Sequence, residues 1–140
     1  MAEPSVASAA SNRSKIVVGV DDMPESLGLI DHIISDAGYI FMGAAGGTEC
    51  LALVARIVPQ LILLDVEMPK MDGFATCKLL RADGRLTHVP IAFLTARKTS
   101  EDVRKGMAAG GNDFVLKPFD RAKLIERLTY WTRHRVNKRW

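Results

Sequence analysis

The sequence predicts an α/β fold: a doubly wound, five-stranded parallel sheet with helices on both faces. Three observations carry this. The runs Leu61-Ile62-Leu63-Leu64 and Ile91-Ala92-Phe93-Leu94 have no polar break, the pattern of strands buried on both faces. Stretches of helical period alternate with such runs, giving five βα units and no internal repeat. Right-handed crossovers then wind those units into one parallel sheet.

Taken in order, Ile16-Val17-Val18-Gly19-Val20 reads as the first strand. Pro24 and Glu25 open a helix that stops near Ala37-Gly38, where glycine can take the left-handed conformation of a helix end. Tyr39 to Gly43 is a short second strand. Thr48 is placed to cap a helix carrying Leu51, Leu53, Val54 and Ile57, which Pro59 follows. Leu61 to Asp65 is the third strand. Pro69 and Asp72-Gly73 mark a loop, and Asp72 caps a helix through Phe74, Cys77, Leu79 and Leu80 that ends near Ala82-Asp83-Gly84. Ile91 to Thr95 is the fourth strand. Ser100 caps a helix that turns Val103 and Met107 inward and Arg104, Lys105 and Ala108 outward, stopped by Gly110-Gly111. Phe114-Val115-Leu116 is the fifth strand. Asp120 opens the last helix, with Leu124, Leu128 and Trp131 on one stripe.

At 140 residues the chain suits one domain with an adequate core, and 48% hydrophobic with 25% charged residues is ordinary globular composition. No run approaches the ~18 apolar residues that span a bilayer. Residues 1–14, small and polar without an apolar segment, read as a disordered leader rather than a secretory signal. Cys50 and Cys77 are far apart, form no CxxC and sit in helical patterns, so both are expected to be buried reduced thiols. His32, His88 and His134 have no metal-ligand spacing. The net charge of +3 is a property of residues 133–140, which carry Arg133, Arg135, Lys138 and Arg139; without them the remainder is slightly acidic.

Polar residues stand where the apolar runs stop. Asp21 and Asp22 end strand one, Asp65 ends strand three, Thr95 strand four and Lys117 strand five. In a parallel sheet these gather at the carboxyl edge, where open α/β sheets place their ligands. Two carboxylates ~4 Å apart repel by ~4 kcal/mol at an effective dielectric of 20, so three together call for a cation.

The pieces Val20-Asp21-Asp22, Leu64-Asp65-Val66-Glu67-Met68-Pro69-Lys70-Met71-Asp72-Gly73, Leu94-Thr95-Ala96 and Lys117-Pro118-Phe119 resemble, in this order, the response-regulator receiver domains of two-component signalling. The resemblance covers residues 15–132, leaving 133–140 as a basic tail. It implies the flavodoxin-like strand order 2-1-3-4-5. It also implies that Asp65 is the phosphoacceptor for a histidine kinase or phosphotransfer protein. Asp21, Asp22, Asp65 and the backbone carbonyl of Glu67 would then hold Mg²⁺. Thr95 would hydrogen-bond a phosphoryl oxygen and Lys117 would pair with it as a point charge. A cis Lys117-Pro118 bond is implied as well. So is a switch in which Phe114 turns inward behind Thr95 and alters a face that binds a downstream protein effector. Such a protein is not a turnover enzyme; at most it catalyses its own phosphorylation and dephosphorylation. A cytoplasmic location follows, with a monomer or phosphorylation-dependent dimer. The chain reads either as a stand-alone receiver or as a piece excised from a longer protein.

Three positions depart from the commonest receiver pattern: Gly19 in strand one, Met23 where an acid is frequent, and Phe114 without the hydroxyl of a tyrosine. Two other classes compete. A haloacid-dehalogenase-type phosphatase also uses a strand-end Asp, but needs a second Asp two residues on, where this chain has Glu67, and usually a cap insertion. Nucleic-acid binding would use the basic tail and Trp140, yet cations at a helix carboxyl end are favoured by its dipole alone, so nucleic acid is not an expected partner. Glu67 and Arg97 carry opposite charges two residues beyond Asp65 and Thr95; an ion pair across the site mouth is sterically open to them, and two unpaired loop charges are the alternative.

Overall fold

The computed structural model of the chain describes residues 15–134; the expected leader and the tail residues Arg135, Lys138, Arg139 and Trp140 lie outside the described residues. The elements are β1 (Ile16–Val20), α1 (Pro24–Asp36), β2 (Ile40–Ala44), α2 (Gly47–Val54), β3 (Leu61–Asp65), α3 (Gly73–Arg81), a 3₁₀ turn (Gly84–Leu86), β4 (Ile91–Thr95), α4 (Ser100–Ala109), β5 (Asp113–Leu116) and α5 (Arg121–Arg133). The strands run in the order β2-β1-β3-β4-β5, and every pairing is parallel. This is the expected doubly wound sheet.

The two-residue period of a strand divides the core. Val18, Val20, Ile62, Leu64 and Phe93 point to one face, where Cys50 and Val54 of α2, Cys77 and Leu80 of α3 and Ala109 of α4 cover them. Val17, Leu61, Leu63, Leu94 and Val115 point to the other, under Ile30, Ile33 and Ile34 of α1 and Leu124 and Leu128 of α5. All five residues of β3 and of β4 are buried, as their unbroken apolar runs require.

The helix ends follow local chemistry. Gly38, at φ +95°, closes α1: its N–H donates to Ser35 O at 3.0 Å and Tyr39 N–H to Ile34 O at 3.2 Å. The Asp72 carboxylate accepts from Ala75 N at 2.8 Å and that of Asp120 from Ala122 N at 2.9 Å, so both cap as expected.

Several expectations are corrected. β2 begins and ends one residue later, at Ile40 and Ala44. α2 is capped by Gly46, so Thr48 lies in its first turn, and the helix stops at Val54, leaving Ile57 to pack on the core from the connecting loop. The cap of α4 is Thr99, not Ser100: Thr99 Oγ1 accepts from Asp102 N at 3.1 Å while the Asp102 carboxylate receives the Thr99 N–H, a reciprocal box. Met107 is 56% exposed, and Gly106 and Ala109 are buried instead. The inward stripe therefore runs 103-106-109. Gly106 sets that phase, because a Cβ there would stand 2.5 Å from the Phe114 ring. Only glycine lets α4 lie this close to the row Phe74–Phe93–Phe114, whose ring centroids are 5.1 and 5.2 Å apart.

The edge of the sheet away from the acidic cluster is fastened by Arg81. Its guanidinium donates to the carbonyls of Gly110, Leu86 and Val89 and to Asn112 Oδ1, each at 2.8 Å. Asn112 Oδ1 also accepts from Ile91 N. α3, the 3₁₀ turn and the starts of β4 and β5 are thereby tied to one side chain, leaving the opposite edge to carry the polar residues.

Candidate functional site

Parallel strands end together, so the residues that terminate β1, β3, β4 and β5 meet. Carboxylate oxygens of Asp21, Asp22 and Asp65 lie within 4.8 Å of one another. Asp21 is 1% and Asp65 4% exposed, while Asp22 is half-buried at the rim. Lys117 lies between the two buried acids, its Nζ donating to Asp21 Oδ2 at 2.9 Å and to Asp65 Oδ1 at 3.0 Å. Asp21 Oδ1 accepts from the Met23 N–H at 2.9 Å, which fixes the turn leaving β1.

Burial pushes the Asp65 carboxyl above the usual carboxylate range; the hydrogen bond from Lys117 pulls it back, and the charges of Asp21 and Asp22 push it further up. Burial works against the Lys117 ammonium, but its hydrogen bonds to Asp21 and Asp65 outweigh that and hold it above its ordinary value. Two buried carboxylates thus share one ammonium, with the Asp22 carboxylate beside them, and the donor set is all oxygen. That suits a hard divalent cation such as Mg²⁺. Asp21, Asp22 and Asp65 are the residues able to hold it.

Thr95 ends β4, 5% exposed. Its Oγ1 accepts from Arg97 N at 3.1 Å, which leaves the hydroxyl proton free to donate. Lys117 N–H donates to Thr95 O at 2.8 Å, coupling the two strand ends, and the Lys117-Pro118 bond is cis as expected. Phe114, two residues before Leu116 on β5, is buried, with its ring already turned inward against Phe93 and Gly106.

The loop after β3 is held from below. Met68 is buried in the core, and Met71 N–H donates to Pro69 O at 2.8 Å around Lys70, whose φ is +71°. Gly73 is forced by contact: a Cβ there would stand 2.3 Å from Asp65 O. The motif at 65–73 signalled the acid and the cap, but neither the tight turn at Lys70 nor this approach. Glu67 lies in the same loop with its side chain exposed.

Of the two alternatives for Glu67 and Arg97 the structure shows the unpaired one; among the described residues no salt bridge joins them. The Arg97 charge acts instead on Asp102, the acid of the α4 capping box, whose carboxyl is held low first by its hydrogen bond from Thr99. An exposed pair between two long side chains gains too little to hold one geometry.

Fold and site together define a receiver-type signalling switch. Residues 17–129 match the family model described as "Response regulator receiver domain", and the chain belongs to that family. Response regulator PleD of Caulobacter vibrioides is 35% identical over 120 residues, covering 86% of this chain and 26% of that protein. The chemotaxis protein CheY4 of Vibrio cholerae superposes with a TM-score of 0.81 at 33% identity, over 82% of this chain and 96% of that one. The receiver domain of sensor histidine kinase PA1611 from Pseudomonas aeruginosa, solved with a magnesium ion coordinated in its active-site cleft, superposes at 0.78 with 30% identity, over 84% of this chain and 97% of that one. The chain spans half or less of the length of the curated relatives reported for comparison. Receiver domains are the switches of two-component signalling and interact with histidine kinases and downstream effectors. Among the described residues no helix is long and apolar enough to cross a membrane.

Proposed function

We propose that this chain is a phosphoacceptor switch. It takes a phosphoryl group onto Asp65 from the phosphohistidine of a kinase or phosphotransfer protein, and it signals through α4, β5 and α5 to a protein effector. The observation that carries this is the Lys117 ammonium lodged between buried Asp21 and Asp65, with Asp22 completing an acidic cluster at the carboxyl edge of the sheet. An ion pair built for stability alone needs one acid, not three. The domain is assigned to residues 15–132, with 133–140 as a basic tail, and a cytoplasmic location accompanies a histidine-kinase donor.

A carboxylate is a poor nucleophile toward an anionic phosphoryl group until charge is neutralised. Asp21, Asp22, Asp65 and the Glu67 carbonyl would hold Mg²⁺, which when bound would neutralise charge on the phosphoryl oxygens. Asp65 attacks phosphorus: the O–P bond forms, the P–N bond breaks with its electron pair returning to nitrogen, and the ring, already protonated on its other nitrogen, leaves as neutral imidazole. Lys117 already contacts Asp65 and pairs with the incoming oxygens. Thr95 donates its free hydroxyl proton to one of them. Phe114 is already packed inward under Gly106, so phosphorylation would act by holding this inward form, and with it α4, for the effector.

On that face Arg104 and Lys105 are basic and exposed, which suits an effector segment bearing acids, while Arg121 pairs with Asp36 of α1 and Lys105 reaches Glu101 at 4.0 Å. Incubation with acetyl phosphate and Mg²⁺, followed by intact mass, should give one phosphoryl adduct, absent in Asp65→Asn. An equal adduct in that variant would overturn the assignment.

A further inference from the structure

β2 is an edge strand, with β1 as its single neighbour. Ile40 N donates to Lys15 O at 2.9 Å and Ala44 O accepts from Asp21 N at 3.1 Å, so residues 40 and 44, and by the strand period 42, turn their peptide groups toward β1. Phe41 and Gly43 therefore turn their N–H and C=O groups to the open edge. Edge strands are ordinarily blunted by charge, proline or a bulge. This one has none of these. No charged residue and no proline occurs between Asp36 and Glu49, and the register with β1 runs unbroken from Ile40 to Ala44. Ile40 is 44% exposed on it.

The opposite edge is guarded. Asp113 of β5 accepts from Arg127 Nε at 2.6 Å and Trp131 Nε1 at 2.7 Å, and Lys98, Asp120 and Lys123 line the hollow beside it.

We propose that two copies of this chain associate edge to edge through β2, antiparallel about a two-fold axis at Met42, so that their sheets become continuous. In that register Phe41 of each copy faces Gly43 of the other, and each such pair exchanges both of its N–H···O bonds. Met42 meets its own symmetry mate, and Ile40 lies opposite Ala44. A second copy fits this edge for two reasons. An isologous contact closes and satisfies the open groups of both strands, where a head-to-tail contact would leave edges free. A chain of net charge +3 also meets itself here without placing like charges together. The association is independent of the phosphoacceptor reading, since neither strand end nor Asp65 takes part.

Sedimentation equilibrium of the unphosphorylated full chain, from low micromolar to millimolar, should show a reversible monomer–dimer equilibrium, and Asp65→Asn should show the same one. Met42→Lys, which puts like charges face to face, should weaken it several-fold or more. Met42 packs partly on the core, so Ile40→Lys, at an exposed position, is the second variant and should weaken it too. Met42→Cys with oxidised glutathione should give a disulfide-linked dimer, because non-hydrogen-bonded antiparallel neighbours lie ~4.5 Å apart, within disulfide reach. Cys50 and Cys77 are buried and do not contribute. A monomer at every concentration, a dimer indifferent to both lysine variants, or edge amides of Phe41 and Gly43 protected from exchange in a monomer would each overturn the proposal.

Discussion

Asp65 is the residue at which burial and chemistry conflict most. Its carboxyl is raised by desolvation, so ionising it costs stability: the contribution is present while the group is protonated and is lost as pH rises through its folded pKa. Asp65→Asn keeps the shape and removes the charge. The metal-free variant should therefore melt a few degrees above the parent at neutral pH, with the gain fading as pH falls to ~4, the ordinary carboxylate value; paired thermal melts across pH would check this. The two cysteines give a second test. Burial pushes Cys50 up to about 12 and Cys77 up to about 11. Neither should react with Ellman's reagent at pH 8 in the native protein, and both should react at once in denaturant. Their raised values also mean stability present below pH ~9 and lost as pH rises beyond it. Residue identities at the site were legible because polar residues interrupt apolar runs at strand ends. The bridge from Lys117 to Asp21 and Asp65 was not, since it joins side chains 96 and 52 positions apart.

Among the elements, the β3–α3 loop carries the most local constraint. Gly73→Ala would drive a methyl into the Asp65 carbonyl, and overpacking of this kind costs ~1–3 kcal/mol. The expected result is a lower urea midpoint together with slower acetyl-phosphate labelling, because the displaced carbonyl belongs to the acceptor itself. Lys70 holds a positive φ in the same loop. Lys70→Gly should be neutral or stabilising, whereas β-branched Lys70→Val should lose ~1–2 kcal/mol. Helix α4 shows where periodicity misleads. Val103 and Met107 share an i, i+4 spacing that reads as an inward face, but apolar character ranks Met107 above a glycine. Contact with Phe93 and Phe114 ranks Gly106 first, and the helix rotates to suit it.

For the whole molecule, the metal reading predicts linkage between ligand and fold. A cation bound by Asp21, Asp22 and Asp65 stabilises only the native state, by about 1.4 kcal/mol at ten times its Kd. Melting temperature should rise with Mg²⁺ over an EDTA control, and the rise should vanish in Asp22→Asn. Stabilisation of equal size in that variant would place the cation elsewhere. The asymmetry of the sheet has a global consequence too. One edge is charged and braced by α5, the other bare, so association through β2 would leave the α4–β5–α5 face free for an effector.

The sequence by itself determined the strand count, the carboxyl-edge acids, the caps at Asp72 and Asp120, and the family. The first three depend on near neighbours in the chain, unbroken apolar runs and a side chain within reach of its own helix start, and the family on four short motifs in a fixed order. The Thr99 cap of α4 is local as well, a box closed with Asp102 three residues on. Tertiary structure alone decided which face α4 buries, that Glu67 and Arg97 stay apart, and that Arg81 fastens the far edge through the carbonyls of Leu86, Val89 and Gly110. Those outcomes turn on volumes and donors brought together from distant parts of the chain, where ångström-scale space at Gly73 and Gly106 outweighs local propensity.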